Sequence, residues 1–107
     1  MLIKSINNTF KVTKCNTLLS QSLGLMFQFP KNDGLLFEFK IETSISLHMF
    51  FVFLKIDIIY LDKNKKVIKI KKNIKPFTSF IKGIKSKYIL ELKDSKNIKL
   101  GEKLKFS

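Results

Sequence analysis

The stretch that decides the fold is Leu47-His48-Met49-Phe50-Phe51-Val52-Phe53-Leu54-Lys55-Ile56-Asp57-Ile58-Ile59-Tyr60-Leu61-Asp62. It is apolar almost throughout, with one acid, Asp57, set inside it. A strand with one wet face alternates apolar and polar residues; this run does not alternate. It reads as a strand buried on both faces, or as two strands joined at a bend near Leu54-Lys55. The β-branched Ile56, Ile58 and Ile59 favour strand over helix. A helical bilayer span needs about 20 mostly apolar residues, and His48, Lys55 and Asp57 interrupt this one. A carboxylate costs several kcal/mol to bury unless it is paired or hydrogen-bonded. Asp57 therefore needs partners. It either accepts backbone N–H bonds or pairs a lysine where strands change direction, or it is a pocket carboxylate with a raised pKa.

Outward from this run the chain reads as short strands between turns. Leu2 to Ile6 and Phe10 to Cys15 alternate as half-buried strands should. Thr17 to Leu23, between an Asn16 or Thr17 N-cap and the Gly24 stop, reads as one short helix. Pro30-Lys31-Asn32-Asp33-Gly34 is a dense turn signal, and Leu35 to Phe39 a strand. Lys40 to Ser46 is a polar loop or an edge strand. Asp62-Lys63-Asn64-Lys65 is a tight turn before a strand over Val67 to Lys71, with Ile68 and Ile70 inward and Lys69 and Lys71 on the face of Val67. Asn73 to Ser86, with Pro76 and Gly83, reads as an extended connection. Tyr88 to Lys93 alternates again, with Tyr88, Leu90 and Leu92 on the core side and Glu91 outward. Lys103 to Phe106 closes the chain with Leu104 and Phe106 inward. Gly24, Gly34 and Gly101 read as turn residues with positive φ. About seven short strands and one helix imply a mainly β fold, a sandwich or a barrel.

The 107 residues fit a single domain over 1–107, large enough to fold without metal or disulfide. All 21 basic residues are Lys, against eight acids, for a net charge of +13. Such a surplus suits a polyanion partner, nucleic acid or an anionic membrane. Without Arg, the commonest base-specific contact is missing, so sequence-selective readout is not expected. Lys, Ile, Asn and Phe also share AT-rich codons, which explains much of the surplus without any function. Cys15 is the only cysteine. It offers no disulfide, no CxxC pair and no zinc spacing, and reads as an inert buried thiol. The N-terminus lacks a signal peptide's apolar core and cleavage site. A soluble, cytoplasmic protein without cofactor is the expectation.

The order of several motifs resembles a known family. Gly24-Leu25-Met26-Phe27, Asp33-Gly34-Leu35-Leu36-Phe37, His48-Met49-Phe50-Phe51-Val52-Phe53, Ile56-Asp57 and Tyr60-Leu61-Asp62 are similar to blocks of domain-of-unknown-function family 192, also catalogued as uncharacterised protein family 0127. Lys75-Pro76-Phe77, Tyr88-Ile89-Leu90-Glu91-Leu92 and Leu100-Gly101-Glu102-Lys103-Leu104 resemble its later blocks. The His-Met-Phe-Phe-Val-Phe form resembles the archaeal branch. Bacterial members carry an aromatic-Trp-Met-Lys-Asn-Thr block and a Pro before the Leu-Asp pair; here those Lys, Asn and Pro positions are Phe50, Phe51 and Lys55. Gln28 stands where many members have Arg. The resemblance implies a compact jelly-roll-like β domain and no particular reaction.

Three sets of residues remain as candidates. His48, the only histidine, with Asp57 and Met49 could line a pocket, as an acid/base pair or half a metal site. A triad or a zinc site needs more ligands than the spacing supplies, so a structural histidine and a structural Asp57 are the plainer readings. The densest basic cluster is Lys63, Lys65, Lys66, Lys69, Lys71, Lys72 and Lys75. With Phe77 and Phe80 exposed it would suit single-stranded nucleic acid; both rings read instead as core. The expected function is a non-enzymatic binding or accessory module. The alternatives are weak, non-specific polyanion binding through these lysines and, third, an enzyme built on Asp57 and His48.

Overall fold

The computed structural model describes residues 1–15, 32–46, 55–76, 78 and 80–107, the side chain of Cys15 excepted. Seven strands form it: β1 (Leu2–Lys4), β2 (Thr9–Cys15), β3 (Gly34–Thr43), β4 (Ile56–Leu61), β5 (Val67–Ile74), β6 (Ser86–Leu92) and β7 (Lys105–Phe106). They make one sheet in the order β5-β4-β6-β3-β2-β1-β7. β2 and β3 run parallel; the other paired strands are antiparallel. The sheet curls into a half-barrel. At one end the chain ahead of β7 meets the start of β5, through the Lys66–Lys103 bridge and the bonds Val67 N–H to Glu102 O, 2.8 Å, and Leu104 N–H to Lys65 O, 3.0 Å. The expected helix over Thr17 to Leu23, and His48, Met49 and Phe77, lie outside the described residues.

The central strands explain why one sheet is enough. Every residue of β4 is buried, as the absence of alternation requires. The inner face packs Ile3, Phe10, Val12, Leu36, Ile59, Leu61, Leu90, Leu92 and Leu104 into the barrel. The outer face packs Leu35, Phe37, Ile56, Ile58, Tyr60 and Ile89 with Ile81. Ile81 belongs to a strap that crosses this face. It is anchored by Lys71 Nζ donating to Lys82 O at 2.6 Å. At Gly83 an added Cβ would come within 2.8 Å of the Ile45 backbone.

Two bulges in β5 change which side chains face where. Tyr60 pairs with Lys69 and Leu61 with Val67, so Ile68 is an extra residue; Ile58 pairs with Lys71 and Ile56 with Ile74, which inserts a second around Lys72-Asn73. The expected face shared by Val67, Lys69 and Lys71 is therefore corrected. Val67 is in the inner core, while Lys69 and Lys71 lie opposite outer-face residues. Ile68, expected inward, is 38% exposed. Phe80, expected in the core, is 65% exposed on the strap.

Gly101 has the positive φ expected of it, at 83°. Gly34 has another reason to be glycine. It opens β3 against β6, where a Cβ would collide with the Glu91 carbonyl oxygen and come within 2.8 Å of Leu92 Cδ2. Gly34→Ala should destabilise the chain by about 1–3 kcal/mol through this overpacking. Gly101→Ala, which meets no atom within 4 Å, should cost only about 1 kcal/mol of backbone strain. Urea melts of the two variants test the ranking; equal costs would show that the β3–β6 approach relaxes freely.

Candidate functional site

The residues that carry chemistry fall into three groups, set by the pleat and by the bulges. The first is Asp57, on the inner side of β4 opposite Leu92. Its Oδ1 accepts from Asn73 N–H at 2.9 Å and its Oδ2 from Ser95 N–H at 2.8 Å. Asn73 is the left-handed residue of the second β5 bulge, at φ 59°. One carboxylate thus joins the bulge of β5 to the turn after β6. Burial pushes its pKa up, but the two backbone donors, with the Lys72 charge beyond them, outweigh burial and hold it below the usual carboxylate value. The buried Ser95 hydroxyl adds to the two backbone donors in lowering it.

The second group lies on the outer face, and sequence reading missed it. Glu91, expected to point outward into solvent, is 1% exposed. Its strand is the third of seven, between β4 and β3, whose own outer faces are apolar. The register sets it in the row Lys71–Ile58–Glu91–Leu35–Thr13, with Tyr60 diagonal to it on β4. Glu91 Oε2 and Tyr60 Oη are both buried without a partner among the described residues. Burial pushes the Glu91 carboxyl up to about 8. Burial, and then the Glu91 charge, push the Tyr60 phenol up to about 12. Lys71 stands over the Tyr60 ring, 5.3 Å from its centroid. Its pKa is lowered by burial and by Lys69 and Lys82. At neutral pH the site therefore presents a mostly protonated carboxyl and a neutral phenol. Each can donate and accept a hydrogen bond.

The third group is the lysines. Lys63 and Lys66 sit exposed at the β4–β5 turn, and Lys65, at φ 64°, stands over the Phe106 ring at 4.9 Å. Lys69 and Lys71 belong to the outer face, and Lys72 and Lys75 are exposed beyond the second bulge. The seven do not share one face. The structure does not bring Asp57 together with the outer-face site, since the two lie on opposite faces of β4. Among the described residues no group of three His, Cys, Asp or Glu is placed to hold a metal ion. No helix among them is long and apolar enough to cross a membrane.

Comparison with known proteins fits this architecture. The family model described as DUF192, Uncharacterized ACR, matches residues 1–106. The chain belongs to that family. The UPF0127 protein PH1112 of Pyrococcus horikoshii is 33% identical over 109 residues, which span 96% of this chain and 93% of the relative. Two solved structures share the fold. A protein of unknown function from Novosphingobium aromaticivorans superposes with TM-score 0.83 at 21% identity, covering 98% of this chain and 82% of its own. A Sinorhizobium meliloti protein described as a candidate transcription regulator superposes with TM-score 0.80 at 18% identity, covering 97% and 89%. At these identities the likeness concerns the fold alone.

The two buried carboxyls bend stability with pH in opposite senses. Asp57, held low, stabilises the fold above the ordinary carboxylate range, and that contribution is lost as pH falls through its folded pKa. Glu91, raised, binds its proton more tightly folded than unfolded. Its contribution is complete below the unfolded value near 4.5 and is lost as pH rises through about 8. Stability should therefore peak near pH 4 and fall by a few kcal/mol by pH 8.5. Glu91→Gln should flatten the alkaline limb and leave the acid limb. Asp57→Ala should cost about 1–3 kcal/mol at pH 7, because two backbone donors lose their acceptor, and Asp57→Asn less. Urea melts across pH decide both; an alkaline limb that survives in Glu91→Gln would assign it to other groups.

Proposed function

We propose that the protein is a non-enzymatic binding module, with the Glu91–Tyr60 pair as the polar anchor of its site. The observation that carries this reading is Glu91 Oε2 and Tyr60 Oη, diagonal to each other on an aliphatic face, both buried and neither with a partner among the described residues. An unpaired buried carboxyl lowers stability, and an apolar residue of similar size would not. Perturbed titrating groups of this kind cluster at functional sites. A protonated carboxyl beside a neutral phenol suits a neutral ligand group that both donates and accepts, such as an amide.

A second reading, non-specific polyanion association, rests on how the acids are used. Six of the eight accept from backbone N–H groups: Asp33, Glu42, Asp57, Asp62, Asp94 and Glu102. A seventh, Glu38, pairs Lys14 at 2.9 Å, and Glu91 is buried. The lysine surplus is thus offset by few direct pairs. The third reading, an enzyme built on Asp57 and His48, has less support, because both Asp57 oxygens already hold backbone donors.

Glu91→Leu separates a binding site from a structural relic. It should stabilise the chain by about 1–3 kcal/mol at neutral pH by removing the unpaired group. It should also abolish capture of small amides, N-methylacetamide among them, read by saturation-transfer NMR against parent and Glu91→Gln. No amide capture by the parent, or equal capture by Glu91→Leu, would overturn the assignment.

A further inference from the structure

Where the half-barrel closes, two aliphatic tips stand beside a strip of lysines. Ile6, in the turn between β1 and β2, is 82% exposed, and Leu100, in the turn ahead of β7, is 65% exposed. Glu102 ties the two turns together. Its Oε2 accepts from Ile6 N–H at 2.8 Å and its Oε1 from Lys99 N–H at 3.1 Å. The tips therefore share one corner. Beside them Lys4 pairs directly across from Lys105, and Lys66 across from Lys103. Their chain neighbours Ile3, Leu104 and Val67 point into the barrel. The four lysines, all exposed, lie on the outside. Lys103 and Lys105 are two residues apart on one face, so the two pairs make one continuous strip.

This strip works against the fold that carries it. Like charges directly opposite across a strand pair destabilise it. The carboxylate at this corner, Glu102, has both oxygens engaged by backbone donors. A large aliphatic side chain 82% exposed at a turn tip gains nothing from the barrel either.

We propose that this corner docks on an anionic lipid surface, with Ile6 and Leu100 entering the headgroup layer and Lys4, Lys66, Lys103 and Lys105 meeting its anionic groups. The pairing of aliphatic tips with lysines favours a bilayer over a nucleic acid. Single strands are held by aromatic stacking beside basic residues, and two described rings of the closing end, Tyr88 and Phe106, pack edge to face against the inner core. Aliphatic tips bury area in a membrane interface and gain none along a phosphate backbone. A lysine near an anionic leaflet contributes about fivefold in affinity, so four give several hundredfold before screening by salt.

The test is sedimentation of the full chain with phosphatidylcholine vesicles, pure or with about one-third phosphatidylserine. Binding to the anionic vesicles alone, weakening with salt, is expected. Lys4→Glu with Lys103→Glu should lower affinity by at least tenfold, and by more than the equal charge change Lys82→Glu with Lys85→Glu in the segment between β5 and β6, where both are exposed. Ile6→Ser with Leu100→Ser should lower it about tenfold at constant charge. All these positions are exposed, and thermal melts confirm that each variant is folded. No binding to anionic vesicles overturns the proposal. So does equal loss in the two lysine pairs, unchanged binding in the serine variant, or tighter binding to a DNA duplex lost through Lys4 and Lys103.

Discussion

Two backbone N–H groups, from Asn73 and Ser95, converge on the Asp57 carboxylate, and the shape of the sheet depends on them. Asp57 lies on β4, Asn73 in a β5 bulge and Ser95 in the turn that leaves β6. Without an acceptor there, the bulge would leave a donor unmatched near the core, at about 1–3 kcal/mol. This bulge bends the far half of β5, and the other one, at Ile68, shifts the strand's phase where Val67 meets Glu102. One acid in an apolar run thus ties β4, the second β5 bulge and the turn after β6 together. The inner core then has a barrel to fill.

Closure determines the electrostatics as well. A chain made of short strands has many turns, and each turn leaves donors that no ladder bond satisfies. Asp33 accepts from Lys11, Asp62 from Asn64 and Lys66, Asp94 from Lys96, and Glu102 from Ile6 and Lys99. Acids engaged this way sit at fixed backbone positions, not opposite lysines. The Lys14–Glu38 pair is half-exposed and contributes little. The positive field is therefore a consequence of how the few acids hold turns. It is spread over several faces, which is why position matters more than lysine count when a binding surface is sought.

The strands were legible because their chemistry is local. The β-branched run to Leu61, the alternation around Tyr88 to Leu92 and the turn at Asp62 to Lys65 each dictate backbone shape on their own. What was not legible depends on neighbours. Ile68 and Lys69 change faces because Ile68 is itself a bulged residue, set by the pairing of Tyr60 with Lys69 and Leu61 with Val67 on another strand. Glu91 looked outward because alternation within β6 puts it opposite Leu90 and Leu92. Leu35-Leu36-Phe37 and Ile58-Ile59-Tyr60 already carried the contrary signal, since both are apolar at consecutive positions. A strand between two such strands has no wet face. Knowing the strand order, with β6 between β3 and β4, would have been enough to bury Glu91.

That placement bears on where function resides in this fold. A sheet with two apolar faces can be stabilised by aliphatic residues at every central position. Asp57 does not break that rule, since its carboxylate replaces bonds the backbone would otherwise lack. Glu91 does break it: its Oε2 is buried with no partner among the described residues, although Lys71 lies in the same row beyond Ile58. The same contrast holds at the closing corner, where Glu102 serves the backbone and the opposed lysine pairs do not. Groups that satisfy the chain are explained by folding. Glu91 with Tyr60, and the strip from Lys4 to Lys66, lower stability where they stand, and these are the places in the molecule where a ligand or a surface has something to contribute.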